Sequence, residues 1–188
     1  MIERSKWDVI YSQKSVLPRA CLALEQNQHL LPTKGDALDL ACGQGGNALL
    51  LAEHGLNVSA WDSSEVAIMQ LAQQVESKSL RVDAQVRDVV EQAPEPDSLD
   101  VLVVSYFLDR SLCPLLLKAL RPNGLLFYQT YCEQKTQQLG PKNPDYLLQD
   151  NELLRLFSDM NVRVYREEAL LGDHLKGWRN QAMLVAEK

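Results

Sequence analysis

A glycine-rich turn directly after an apolar run is the first candidate for chemistry in this sequence. The stretch ALDLACGQGGNALLLAEHG, residues 37–55, places Gly43, Gly45 and Ala48 in the spacing G-x-G-x-x-A. A strand, a glycine turn and a helix N-terminus together expose backbone N–H groups to a nucleotide-like ligand, and glycine lets that ligand approach the chain. Asp39 lies inside the apolar run. A carboxylate there would oppose a pyrophosphate and would favour a ligand that carries a cationic amino-acid group.

Two further acids follow the next two predicted strands. Asp62 ends the strand in SAWDSS, where a carboxylate can accept hydrogen bonds from ribose hydroxyls. Asp88 follows the third strand in QVRDVV, where a side chain can reach the exocyclic amine of an adenine. Aspartates at strand ends are also common as turn and N-cap residues, and each of these acids could serve only in that way. Their joint placement around one glycine turn is more specific than the turn alone.

Short apolar segments alternate with amphipathic segments along the chain, which is typical of an α/β fold. The sequence predicts a Rossmann-like, seven-stranded, mostly parallel sheet with helices on both faces. The segment ALLGDHLKGWRN is typical of a hairpin-like return, so we expect an antiparallel last strand that lies beside the fifth. The predicted strands are residues 37–41, 57–61, 81–86, 99–106, 124–131, 162–168 and 181–187, and the predicted helices are near 46–54, 64–77, 111–120 and 151–160.

Local signals mark the ends of these helices. Gly55 is expected to end the first helix, and Ser63 or Ser64 to cap the start of the second. Pro122-Asn123-Gly124 is expected to close the helix that ends at Leu120 and to turn into the fifth strand.

The composition limits the class of protein. The 188 residues, of which 46% are hydrophobic, can bury one sizeable core, so we expect a single domain over residues 1–188. The formal charge is −6 and the basic residues are scattered, so we do not expect a nucleic-acid partner. The start has no apolar leader and no run is long enough to span a membrane, which is typical of a cytoplasmic protein. We expect a monomer or a homodimer with no membrane partner.

The cysteines give no signal for a metal site. Cys21, Cys42, Cys113 and Cys132 are far apart and lack the spacing of a zinc site or of a disulfide framework. We therefore expect four buried or half-buried thiols and no metal.

The residues around the turn resemble the first two motifs of class I S-adenosylmethionine-dependent methyltransferases. The resemblance is carried by DLACGQG from Asp39 to Gly45, by Asp62, and by LRPNGLLFYQTY leading into the fifth strand. The family's usual first glycine is Ala41 here, and its P-G-G turn is PNG. Alanine is nearly as small as glycine, and asparagine tolerates a left-handed backbone. The pattern W-D-x-x-Y at 7–11, CGQGGN and GPKNPDYLLQDNELLRLF are similar to small bacterial methyltransferases related to tellurite-resistance proteins.

The resemblance implies S-adenosylmethionine as the cofactor and S-adenosylhomocysteine as the product. It places Asp39 on the ammonium end of the cofactor, directly or through water, and Asp62 on the ribose. It also places Asp88 and the backbone of Val89 on the adenine, and Ser105 beside the methyl group. The implied cofactor-binding residues are Asp39, Ala41, Gly43, Gly45, Asp62, Ser63, Asp88, Val89 and Ser105.

Two segments are expected to cover the site. Residues 132–149 are too long for an ordinary connection, so we expect a lid over a small-molecule methyl acceptor, and a disordered surface loop is the alternative. Residues 1–30 are expected to form an N-terminal helical cap, whose aromatic residues either close over the cofactor or pack on the core. The candidate substrate-binding residues are Trp7, Tyr11, Tyr106, Tyr131 and Gln134.

The sequence identifies no catalytic base. A thiolate, selenide or telluride needs none near neutral pH, whereas an oxygen or amine nucleophile usually needs a proton acceptor. The fourth strand ends in VVSYFLDR and lacks the N-P-P-Y type of motif that polarises planar amines, which weakens the amine option. Asp109 and Arg110 either line the acceptor pocket or only cap and solvate the next helix.

Two other functions stay open. An NAD-linked oxidoreductase is disfavoured by Asp39 and because nothing after residue 131 resembles a separate catalytic domain. A noncatalytic regulator that binds S-adenosylmethionine needs the same pocket, so the sequence does not distinguish it from an enzyme.

Overall fold

The computed structural model describes residues 2–13 and 18–188, with side chains described from Lys6 onward in the first of these ranges. The strands are β1 Asp36–Leu40, β2 Asn57–Asp62, β3 Val82–Val86, β4 Leu99–Ser105, β5 Leu120–Tyr131, β6 Asn161–Arg166 and β7 Gln181–Glu187. The α-helices are α1 Ile2–Ser12, α2 Leu22–Glu25, α3 Gly46–Glu53, α4 Glu65–Ser77, α5 Cys113–Ala119 and α6 Glu152–Leu156.

The strands form one sheet in the order β3-β2-β1-β4-β5-β7-β6. The first five strands pair in parallel, as crossover connections require. The last strand, β7, lies between β5 and β6 and is antiparallel to both. The predicted seven-stranded, mostly parallel sheet, with its antiparallel last strand beside the fifth, is therefore confirmed.

The core has two layers, one on each face of the sheet. Successive residues of β7 alternate between them, since Leu184 belongs to one buried cluster and Val185 to the other. The first layer packs against α5 and α6, and the second packs against α2, α3 and α4. Helices on both faces explain why the central strands are mostly apolar on both of their faces.

The predicted helix ends are mostly confirmed. Gly55 follows α3 with a φ of +97°, a conformation that suits glycine. Ser64 is the N-cap of α4, and its hydroxyl accepts a hydrogen bond from the N–H of Ala67 at 3.2 Å. Among the described residues, no helix has both the length and the apolar character needed to cross a bilayer.

Two predicted boundaries are wrong. The helix expected over 151–160 ends at Leu156, because Phe157 leaves the helical conformation and is buried against the Tyr128 ring, 5.7 Å between centroids. The fifth strand begins at Leu120 rather than at residue 124, so the PNG turn lies inside the strand. Asn123 has a φ of +66° there, and its N–H donates to the Lys188 carbonyl.

Candidate functional site

The glycine turn between β1 and α3 is built from left-handed residues. Ala41, Gly43 and Gly45 have φ values of +53°, +52° and +77°. A Cβ on Gly43 would lie 2.6 Å from the Tyr11 hydroxyl, and one on Gly45 would lie 2.3 Å from the Leu71 side chain. Gly43 and Gly45 are therefore required both for the backbone conformation and for the close approach of neighbouring elements.

Asp62 stabilises this turn from the end of β2. One carboxylate oxygen accepts from the N–H of Gly43 at 2.8 Å, and the other accepts from the N–H of Ser64 at 2.9 Å. The side chain is buried, and burial raises its pKa, whereas these two hydrogen bonds act in the opposite direction. Asp62 therefore connects the glycine turn to the N-terminus of α4.

Asp39 is held inside the protein beneath the same turn. One of its oxygens accepts from Asn47 Nδ2 and the other from the N–H of Ala48, both at 3.0 Å. The residue is completely buried, and burial raises its pKa to about 7, with the Asp62 charge adding to the increase. In this structure its carboxylate supports the start of α3, and its predicted contact with an ammonium group stays a prediction.

Asn47 is a site residue that the sequence analysis did not single out. Its Nδ2 donates to Asp39 and to Ser105 Oγ, each at 3.0 Å, and its Oδ1 accepts from the N–H of Cys21 at 2.8 Å. One buried amide thus joins β1, β4 and the segment before α2. The only signal in the sequence was its position in CGQGGN, at the start of a helix.

The N-terminal helix lies over the glycine turn. Asp8 accepts from Ser64 Oγ at 2.6 Å and from the N–H of Val66 at 3.3 Å, which fastens α1 to the start of α4. Trp7 stacks on Tyr11 with 6.0 Å between the ring centroids. Burial raises the pKa of Tyr11, and the nearby Asp62 charge raises it further. The structure therefore brings Tyr11 against the glycine turn, with Trp7 stacked on it, and their contact with a ligand stays a prediction.

Asp88, the third of the predicted strand-end acids, has a different environment from Asp39 and Asp62. Asp88 is exposed, and its carboxylate accepts from the N–H of Val90 at 3.0 Å, as in a local turn. Val89 is buried in the core, and Ser63 is half-buried. Asp88 therefore lies at the end of β3, as predicted, but it shares no described hydrogen bond with the other two acids.

Two of the candidate substrate-binding residues, Tyr106 and Tyr131, lie at the ends of β4 and β5. Tyr106 has a φ of +58°, which is rare for a bulky residue, and its ring lies 5.4 Å from that of Tyr131. A Cβ on Gly140 would lie 2.6 Å from the Tyr131 ring, so the 132–149 segment folds against this ring. Gln134 instead donates to Asp150 and fastens the segment.

Buried Gln129 is a second residue that the sequence analysis did not single out. Its Oε1 accepts from the N–H of Ala23 at 2.7 Å. Its Nε2 donates to Tyr106 Oη at 3.0 Å and to Gln181 Oε1 at 2.6 Å. The sequence offered only a polar residue in a predicted buried strand, which is a weak signal for a hydrogen-bonded side chain in the core.

The 132–149 segment is held at both ends. The Asn180 Oδ1 accepts from the N–H of Thr136 at 2.7 Å and from the N–H of Gln137 at 3.2 Å. The Arg110 guanidinium forms a two-point ion pair with Glu152 and donates to two carbonyls of the segment. Both ends of the segment therefore contact the fold, whereas residues 137–140 and 142–146 are exposed, and the choice between a lid and a disordered loop stays a prediction.

Asp109 and Arg110 have separate roles. The Asp109 carboxylate accepts from the N–H of Ser111 at 2.9 Å, which forms a local turn before α5, and the N-cap of that helix, Leu112, has no side-chain hydrogen bond. Arg110 neither caps the helix nor only meets solvent, because its guanidinium reaches Glu152 and the 132–149 segment.

The four cysteines are buried free thiols, as predicted. Within residues 2–13 and 18–188, no group of three or more His, Cys, Asp or Glu side chains is placed to hold a metal ion.

Comparison with known proteins identifies one family. The model of a family described as "Tellurite resistance protein TehB" matches residues 10–176. A probable S-adenosyl-L-methionine-dependent methyltransferase TehB of Haemophilus influenzae is 27% identical over 136 residues, which cover 69% of this chain and 47% of the relative. The putative methyltransferase YqeM of Bacillus subtilis is 27% identical over 159 residues, which cover 74% of this chain and 64% of the relative. The chain thus spans between about half and two thirds of these relatives.

The fold agrees with the sequence comparison. The crystal structure of TehB from Haemophilus influenzae superposes with a TM-score of 0.71 at 22% identity, and the match covers 97% of this chain and 67% of that one. The resemblance to class I methyltransferases and to tellurite-resistance relatives is confirmed by the family match. Because that match extends over most of the sequence, this chain belongs to the TehB family of tellurite resistance proteins.

Proposed function

We propose that this chain binds S-adenosylmethionine and transfers its methyl group to a small-molecule acceptor. The observation that carries the proposal is the left-handed glycine turn with two buried carboxylates, Asp39 and Asp62, at neighbouring strand ends. The family match and the relatives named as S-adenosylmethionine-dependent methyltransferases support this cofactor and this reaction.

The residues around the turn fit this cofactor in charge and in shape. Two carboxylates favour its sulfonium and ammonium groups, whereas they would oppose the pyrophosphate of NAD. We assign the ribose to Asp62, whose carboxylate accepts from the N–H groups of Gly43, Ser64 and Ser63 and has a capacity of about four acceptor positions. We assign the methionine moiety to the turn from Ala41 to Gly45 near Asp39. The adenine is assigned to Ser63, Asp88 and Val89.

When bound, S-adenosylmethionine supplies a methyl carbon on a sulfonium sulfur: an acceptor lone pair forms the new bond while the carbon–sulfur bond breaks and its electrons stay on sulfur. The chain then has to orient the acceptor and exclude water, and such positioning contributes about 7–11 kcal/mol in favourable cases. Ser105 ends β4 beside the turn, and Tyr106 and Tyr131 form the adjoining aromatic wall.

The titratable groups near this wall favour an acceptor that needs no deprotonation by the protein. Burial raises the pKa of Cys21 to about 12 and that of Tyr106 to about 12, and burial also raises the pKa of Tyr131. None of these three groups accepts a proton readily near pH 7. Thiolates, selenides and tellurium anions, which carry a reactive lone pair without prior proton removal, fit these surroundings.

Residues 132–149 are proposed to act as a lid that excludes water from the acceptor site. The contact of Gly140 with the Tyr131 ring and the two anchors at Asn180 and Arg110 support this role. Replacing residues 134–144 by a short Gly-Ser linker should leave S-adenosylhomocysteine affinity within a few-fold and strongly lower methyl transfer. Undiminished turnover would show that the segment is only a connection.

Calorimetry tests the choice of cofactor. S-adenosylmethionine and S-adenosylhomocysteine should bind, and NAD and NADP should not. Asp62→Ala should weaken binding by about 1.5–3 kcal/mol, because it removes hydrogen bonds to a charged group. Asp83→Ala removes an exposed acid on the neighbouring strand and is the matched control. Tight NAD binding, or unchanged affinity in Asp62→Ala, would contradict the assignment.

Turnover separates an enzyme from a noncatalytic regulator. Formation of S-adenosylhomocysteine should depend on added dithiothreitol, selenide or tellurite. Binding of the cofactor without turnover on any acceptor of a wider screen would favour the regulator. We also propose a cytoplasmic monomer or homodimer formed by one domain, with residues 1–30 as a helical cap; residues 1 and 14–17 of this cap lie outside the described residues. Sedimentation of the purified chain measures its assembly.

A further inference from the structure

A hydrogen-bond chain with a fixed direction leads from α2 to the proposed acceptor site. The N–H of Ala23 can only donate, so the Gln129 atom that lies 2.7 Å from it is the carbonyl oxygen Oε1. The amide then presents Nε2 on its other side, where it donates to Tyr106 Oη at 3.0 Å and to Gln181 Oε1 at 2.6 Å. Gln129 is completely buried, so water does not compete for these bonds.

This direction leaves the Tyr106 proton available to a ligand. A phenol oxygen can accept one hydrogen bond and donate another, and here it accepts from Gln129. The Gln181 side chain also hydrogen-bonds this phenol and lowers its pKa, as a donor to the oxygen does, and among the described residues no acceptor is seen for the Tyr106 proton. Partial burial raises the pKa of Tyr106 to about 12, so the hydroxyl keeps its proton at neutral pH. The residue is also 48% exposed, so a small molecule can reach it.

Tyr106 is held in this position by its main chain as well. Its N–H donates to the Gln129 carbonyl at 2.8 Å, and its φ of +58° is unfavourable for a side chain of this size. The Tyr131 ring packs 5.4 Å away. Residues with such backbone angles persist only where their surroundings fix them, and they are concentrated at functional sites.

We infer that Tyr106 is a specificity-determining residue whose hydroxyl donates a hydrogen bond to an anionic methyl acceptor, and that Gln129 is the positioning residue that fixes the direction of this bond. The inference rests on the proposed methyltransferase function. The ligand class is a small anion whose lone pair attacks the methyl carbon, such as a thiolate or a selenide. The attacking atom loses its negative charge on methylation, and the Tyr106 proton stays on the tyrosine.

Two substitutions test the donor role. Tyr106→Phe keeps the ring and the backbone but removes the hydroxyl. Gln129→Glu introduces a buried carboxyl; at a pH above its raised pKa the carboxylate still accepts from Ala23 and also accepts from Tyr106, which turns the phenol proton inward. Tyr165→Phe on β6 removes a hydroxyl that is bonded to Glu167 and is the matched control.

Kinetics with dithiothreitol as the thiol probe give the readout. Tyr106→Phe should raise the acceptor KM by about tenfold or more, because hydrogen bonds to charged groups are the strong ones. Tyr106→Phe should also shift the rising limb of the pH profile of kcat to higher pH. The reason is that the bound thiol loses a hydrogen-bond donor that lowers its pKa. Gln129→Glu should have the same effect if it folds, and S-adenosylhomocysteine affinity should stay within a few-fold in both variants.

The outcomes separate this inference from the proposed function. If the wild type turns over and Tyr106→Phe shows the same KM and pH profile as the wild type, the donor role is overturned. The methyltransferase proposal then stays intact. Absence of wild-type turnover with dithiothreitol, selenide and tellurite would contradict the proposed reaction with anionic acceptors, and the inference with it. A shift in Tyr165→Phe equal to that in Tyr106→Phe would also overturn the inference.

Discussion

Replacing Asp39 by asparagine should remove a large pH dependence of stability. Burial raises the pKa of Asp39 from 3.8 to about 7 in the folded protein. Because the folded value lies above the unfolded one, the folded state binds more protons between these two values, and stability falls as pH rises. The stabilisation from protonated Asp39 is thus complete below about pH 4 and is lost as pH rises through 7.

The size of the effect follows from the same two values. A pKa difference of about 3 corresponds to roughly 4 kcal/mol of unfolding free energy, and complete burial leaves no solvent to screen it. Asparagine has one acceptor oxygen for two donors, Asn47 Nδ2 and the N–H of Ala48, so the variant also loses a constant amount at every pH. This pH-independent loss does not affect how the stability of the variant changes with pH.

Urea unfolding, followed by the fluorescence of the three tryptophans between pH 4 and pH 8, measures the difference. The stability of Asp39→Asn relative to wild type should increase by about 4 kcal/mol across this range. Carboxylates distant from Asp39 titrate in both proteins and cancel, whereas Asp62 is coupled to Asp39 and contributes to the measured difference. Asp159→Asn replaces an exposed acid and should show a parallel curve. If the stability of Asp39→Asn varies with pH as the stability of the wild type does, Asp39 stays ionised in the folded protein. The hydrogen bonds that its carboxylate accepts would then lower its pKa by as much as burial raises it.

Three further predictions concern the same network. Cofactor affinity, measured by calorimetry, should fall about tenfold from pH 8 to pH 6 and stay flat in Asp39→Asn, because the cationic cofactor favours the ionised acid. Asn47→Ala should lower the free energy of unfolding in urea by about 2–5 kcal/mol, because it leaves buried groups without hydrogen-bond partners. The control Asn57→Ala, at an exposed position, should lower it by less than about 1 kcal/mol. Arg110→Gln should speed tryptic cleavage within residues 132–149, and Arg163→Gln should not; equal rates would show that the ion pair does not hold the segment.

The sequence predicted the seven strands, the antiparallel last strand beside the fifth, and the acids at the strand ends, because these features follow from short-range patterns and common connection rules. Apolar runs of five to eight residues mark buried strands, and right-handed crossovers leave few topologies for them. Asp39 and Asp62 therefore had to lie near one edge of the sheet. The contacts of these acids were less predictable, since whether a carboxylate faces a ligand or a backbone N–H depends on the exact path of the turn.

The residues that hold the site together were missed because their partners are distant in sequence. Gln129 bonds Ala23 across 106 positions, and Asn47 bonds Ser105 across 58. A single amide in an apolar strand has no periodicity from which such a partner can be read. The length of the last helix was missed for a related reason, because the packing of Phe157 against Tyr128 outweighs the helical pattern after Leu156.

The short segment before and within α2 connects the two halves of the proposed site. The N–H of Cys21 donates to Asn47, which supports the glycine turn, and the N–H of Ala23 donates to Gln129, which positions Tyr106. The first N–H groups of a helix have no partner within that helix, so these side-chain oxygens satisfy them. A shift of this segment would therefore disturb the cofactor side and the acceptor side together. We therefore expect the geometry of the proposed methyl transfer to depend on two backbone N–H groups, those of Cys21 and Ala23.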